Sequence, residues 1–167
     1  AHPDYVKASL YLAPSGHQPT DKFYEWCFDS GTNRFVTNNL DDFLPGSIVS
    51  KPTVISVGGG RVTSPCYGTV IVQSIDHGCT VRCEKVLYLS KCGKKLMPAS
   101  SFVRRGCTVV MKDNKVFLSS KEGAPIFSGK DVGGLYMYHS KTVKHSTTDT
   151  STHSIPTTKS FFGLPVG

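Results

Sequence analysis

An all-β chain with one short helix is the fold class this sequence predicts, and three observations predict it. Apolar and polar residues alternate most densely between residues 21 and 112, as half-buried strands require. Glycine or proline interrupts that alternation roughly every 8–12 residues, the spacing of a small barrel or sandwich. Only the stretch from Pro98 to Arg105 sets apolar positions at helical spacing, with Arg104-Arg105 in its last turn and Gly106 as its stop.

The elements can be justified in order. Residues 1–20 contain Pro3, Pro14, Gly16 and Pro19 and read as an extension with room for one strand from Ala8 to Leu12. The apolar run Trp26-Cys27-Phe28 is a buried strand, and it ends on Asp29-Ser30-Gly31. That tripeptide is ordinary turn chemistry by itself. A carboxylate at the end of a buried strand is nevertheless costly unless something uses it. From Thr53 to Thr63 two β-branched arms flank Gly58-Gly59-Gly60, which predicts a hairpin with a flexible tip. Tyr67 to Val72 and Val86 to Leu89 are further strands, and after the helix Cys107 to Met111 returns to strand character. Met111 to Leu118 reads as a hairpin turning on Asp113-Asn114. Residues 141–167 are so rich in Ser, Thr, His and Lys that a disordered tail is expected, with His139, His145 and His153 as linker residues.

Composition narrows the function. A chain of 167 residues with 38% hydrophobic content supports one ordinary core with tails. The formal charge of +7 is spread in ones and twos, with no aromatic residues interleaved, so a solvated basic surface is expected rather than a specific nucleic-acid site. Six cysteines, at 27, 66, 79, 83, 92 and 107, form no C-x-x-C pair and are expected as small buried hydrophobes in a reducing, intracellular setting. Neither Cys27 nor Cys66 has a histidine in a context that suggests a nucleophilic pair. His77, Cys79 and Cys83 supply three loosely spaced zinc-type ligands and no fourth, so neither a metal nor another cofactor is expected. No run reaches the ~18 apolar residues of a membrane span. A start at Ala1 is expected of a piece cut or taken from a longer polypeptide.

The serial order of apolar strand, Asp-Ser-Gly loop, glycine-tipped hairpin, Gly-Thr-Val-Ile-Val strand, glycine turn, short helix and final strand resembles the retropepsin family of aspartic proteases over about residues 21–112. Val86-Leu87-Tyr88-Leu89, Lys95 to Ser100, Gly106-Cys107-Thr108-Val109 and the run from Gly123 to Tyr138 are similar to the protease region of a copia-type retrotransposon polyprotein and the segment that precedes its integrase. The resemblance implies a closed retropepsin-like β-barrel with one short helix, working as a homodimer. It divides the chain into an extension (1–20), a protease core (21–112), a pre-integrase hairpin extension (113–140) and the tail (141–167). It makes Asp29 the catalytic carboxylate, with Ser30, Gly31 and Thr32 completing its loop, and Val57, Gly58, Gly59 and Gly60 the flap over substrate. It puts the turn that leads into the helix at Cys92-Gly93, after Lys91, and the dimer strand at Cys107, Thr108 and Val109. The implied substrate is the element's own polyprotein, inside an intracellular virus-like particle. Two other aspartates followed by glycine, in Asp76-His77-Gly78 and Asp131-Val132-Gly133, lack the central Ser or Thr, so one qualifying loop per chain implies a two-chain site.

Overall fold

A computed structural model describes residues 6–9 and 23–144. Its strands are β1 (Trp26–Asp29), β2 (Val36–Thr37), β3 (Thr53–Val57), β4 (Gly60–Ser64), β5 (Tyr67–Ser74), β6 (Thr80–Tyr88) and β7 (Lys95–Pro98), and the single helix α1 (Ala99–Arg104) follows. After it come β8 (Thr108–Lys112), β9 (Lys115–Ser119), β10 (Pro125–Val132), β11 (Leu135–Tyr138) and β12 (Ser140–Val143), with one 3-10 turn at Leu40–Asp42. The all-β class with one short helix is therefore correct. Ten strands form one sheet in the order β12-β5-β6-β2-β7-β1-β11-β10-β9-β8, and β3 and β4 form a separate pair whose first strand is also bridged by Lys7 at Ser56.

The strand β1 lies in the middle of that sheet, parallel to β7 and antiparallel to β11. Cys27 is level with Leu96 and Met137, and these three face one apolar cluster with Val36, Ile55 and Leu87. Trp26, Met97 and Tyr138 project into the opposite cluster, with Phe102 and Phe127. Because side chains alternate across a strand, a strand covered on both faces needs a continuous apolar run, and Trp26-Cys27-Phe28 supplies it.

Two local turns follow their residues closely. Asp113 and Asn114 both take left-handed backbone (φ 53° and 62°), as a two-residue hairpin loop between β8 and β9 demands. Gly106 (φ 86°) stops α1, as expected, and Pro98 caps its start.

Three expectations are corrected. No closed ring of strands is found: among the described residues the order has edges at β12 and β8. The cause is the stretch 113–140, which inserts β9, β10 and β11 between β8 and β1 and takes the hydrogen-bonding edge of β1. That stretch is thus built into the central sheet. The polar residues 141–143 are not tail but strand, for β12 pairs with β5 from Ser140↔Ser74 to Val143↔Ile71. His139 is no linker residue either: it stacks on Tyr24 (centroids 4.6 Å apart), and its Nδ1 lies 2.9 Å from Asp76 Oδ1. His145, His153 and Phe161-Phe162 lie outside the described residues.

Candidate active site

Asp29 is the last residue of β1, level with Pro98 of β7, and is only 5% exposed. The chain turns directly beyond it, which brings its own loop back as a set of donors. The Gly31 amide donates to Asp29 Oδ1 (2.8 Å) and the Thr32 hydroxyl to Oδ2 (2.7 Å). A third donor is the Ser9 hydroxyl, 3.4 Å from Oδ1. None of the ion pairs among the described residues involves Asp29. Both carboxylate oxygens are thus oriented by neutral groups. Ser30 is exposed at the loop's outer corner. Gly31 leaves little room: a Cβ there would sit 3.1 Å from Ser9 Oγ and 3.4 Å from Asp29 Oδ1.

The neighbouring thiol registers this environment. Burial, and after it the negative charge of Asp29, pushes Cys27 up to about 12. Burial also raises Cys66. Both therefore stay protonated thiols near neutral pH, the wrong state for a nucleophile.

The glycine-tipped hairpin forms where expected, with Val57 paired to Gly60 and Gly58-Gly59 at its tip. Gly59 has φ 96° and requires glycine, whereas added Cβ atoms at Gly58 and Gly60 would meet nothing within 4 Å. Its first arm is joined to the aspartate loop through residues 6–9. The Ala8 amide donates to Ser56 O (3.0 Å), and the Ser56 amide donates to Val6 O (2.9 Å). On the other side, the Asn33 amide donates to Lys7 O (3.1 Å) while the Lys7 amide donates to Asn33 Oδ1 (2.9 Å). The Ser9 amide donates to Thr32 Oγ1 (3.0 Å).

One predicted turn falls elsewhere. Cys92-Gly93 do not lead into the helix, because all of β7 intervenes, and the apolar pair directly before α1 is Leu96-Met97, followed by Pro98. Cys92 is instead buried beside the amino-terminal segment, its thiol donating to Ser9 O (3.7 Å). Cys107 follows the helix and is buried, and its thiol is pushed up to about 11, chiefly by burial. Thr108 and Val109 open β8, whose partner is β9 of the same chain. The zinc-type trio is dispersed in its bonding: His77 Nε2 lies 2.9 Å from Ser128 Oγ, the Cys79 thiol donates to Ile126 O and that of Cys83 to Val81 O. The rejected aspartates serve locally, Asp76 beside His139 and Asp131 accepting from the Gly134 amide (2.7 Å).

Sequence reasoning missed Ser9, Asn33 and Ser56. Ser9 touches the carboxylate, and Asn33 and Ser56 hold the segment that carries it, only because residues 6–9 come to lie beside the aspartate loop, and nothing in their own residue types signals that. No known family model matches this chain, and no curated protein is significantly similar to it in sequence.

Proposed function

We propose that the chain is a retropepsin-like aspartic endopeptidase that acts as a homodimer on a retrotransposon-type polyprotein. The observation that carries this reading is the state of Asp29: buried, oriented at both oxygens by its own loop, free of any ion pair among the described residues, and linked to a glycine-tipped hairpin by one strand segment. One such carboxylate makes half a site. In the dimer, two Asp29 groups brought together cannot both be charged, so they share one proton and titrate as a pair. The charged member takes a proton from the attacking water while its neighbour protonates the scissile carbonyl. Gly31 and Thr32 hold each carboxylate still, and Ser30, facing outward, is placed to bond the partner loop. The polypeptide lies extended against the hairpin arm, and the tip at Val57 to Gly60 opens to admit it and closes to exclude water.

A place for a second copy is offered by β8, the fourth strand from β1 in the sheet order. Its outer edge has no strand beside it among the described residues, and Val110 and Met111 upon it, with Phe117 across the turn, are 40–48% exposed. Cys107 to Val109 begin that edge. An unpaired apolar edge is a ready place for a second copy.

The alternative is a catalytically inactive β-rich module used for assembly, and the Ser9 hydroxyl against Asp29 favours it. Asp29→Asn separates the two. The amide keeps the shape but cannot act as the base, so peptide cleavage should fall about 10³-fold or more. Specific activity should also drop steeply on dilution through the dimer dissociation range. Full cleavage by Asp29→Asn would remove Asp29 from the mechanism, whereas no cleavage by the unchanged chain at any concentration, together with no binding of a pepstatin-type inhibitor, would leave the inactive module standing.

A further inference from the structure

The segment Val6–Ser9 has the bonding pattern of a bound peptide. It runs parallel to the hairpin arm at Lys7↔Ser56 and exchanges two backbone bonds with Ser56, as an added strand does at a sheet edge. Its other edge exchanges two bonds with Asn33, and its Ser9 reaches both Thr32 and the Asp29 carboxylate. Val6 and Ala8 are turned inward, 7% and 4% exposed, while Lys7 faces solvent. The groove thus reads an extended backbone through main-chain partners at Ser56 and Asn33 and side-chain acceptors on Asn33 and Thr32, and alternate side chains through apolar contacts.

We infer that Val6–Ser9 is a resident self-peptide in the substrate groove, holding the site closed until it is displaced. The inference rests on the endopeptidase reading for the word substrate, and its test uses binding alone. It follows that the groove prefers an extended peptide with small or β-branched apolar residues at two alternate positions and a small residue beside Asp29. A tether of this kind presents the segment at an effective concentration in the millimolar range, so free peptides compete poorly until it leaves.

The experiment uses the full chain carrying Asp29→Asn, so that cleavage cannot interfere, and a synthetic peptide of residues 3–12. In one arm, Ala8→Asp is added, placing a charge where the segment is buried. This variant should bind the labelled peptide about tenfold or more tighter than the chain with Ala8, read by fluorescence anisotropy. A folded Ala8→Asp chain that binds no better would overturn the inference. In the second arm, amide hydrogen exchange is followed in the Asp29→Asn chain without any change at Ala8. Unlabelled peptide at about 10 mM should speed exchange of the Ala8 amide roughly tenfold and leave the Trp26 amide unchanged. If Ala8 exchange does not respond, residues 6–9 are a fixed strand of the core and the inference fails, whether or not the Ala8→Asp chain folds. Displacement by peptide in a protein that never cleaves anything with Asp29 intact would sink the endopeptidase reading and keep the occupied groove.

Discussion

Two aspartates are buried among the described residues, and they are buried differently. Asp42, 2% exposed, sits against Lys95 (Nζ to Oδ2 2.9 Å) and accepts from the Thr37 hydroxyl (2.5 Å). Its charge is cancelled by a cation on β7. Asp29, 5% exposed, is held only by an amide and hydroxyls. A paired carboxylate has no free energy to gain from meeting another group, whereas one held by neutral dipoles stays available to share a proton. The difference separates a carboxylate that ties elements together from one that can do chemistry.

The largest expected effects pull the two apart. Asp29→Asn should cost about 10³-fold or more in cleavage and less than about 1 kcal/mol in stability. Lys95→Met, which strands the charge of Asp42 in the interior, should cost roughly 3 kcal/mol by urea denaturation. If both variants lose the same stability, the contrast between the aspartates is wrong. Gly129→Ala attacks the scaffold of Asp29, since its Cβ would lie 2.3 Å from Met137 O, between β10 and the strand flanking β1. A loss of about 2 kcal/mol, with cleavage lowered only as folded protein is lost, is expected from thermal melting. Thr32→Val removes the donor to Asp29 Oδ2 while keeping the shape, and about 1 kcal/mol of stability should go with it. The smallest effect sharpens the picture of the wall beside Asp29. The Cys27 thiol is raised from 9.0 to about 12 in the folded chain. Folding therefore holds that proton more tightly than the unfolded chain does. Stability from this group is full below pH 9.0 and is lost as pH rises toward about 12, so the urea midpoint should decline across that window and Cys27→Ala should flatten the decline.

Much of this was legible where local chemistry decides structure. The run Trp26-Cys27-Phe28 announced a strand buried on both faces, the three glycines a hairpin tip, Asp113-Asn114 a tight turn, and Arg104-Arg105-Gly106 a helix end. Asp29 could be singled out because a charge at the end of such a strand needs a reason. What escaped depends on partners far away in sequence. That β11 lies beside β1, that polar Ser140 to Val143 form a strand, and that Ser9 touches Asp29 follow from register between distant segments. A short polar strand carries no periodicity strong enough to declare itself. Cys92-Gly93 were misplaced because a glycine after an apolar residue marks any turn, while the true approach to the helix ends in proline.

The bonds of Trp26 carry a kinetic consequence. Its amide and indole donate to Ser140 and Thr142, 114 and 116 residues further along the chain. The strand that presents Asp29 is made more than a hundred residues before those partners and stays half-zipped until they arrive, so folding of this centre waits on the end of the sheet. Such long-range closure predicts slow, seconds-scale acquisition of structure and a nascent chain that depends on protection from sticky neighbours while it waits.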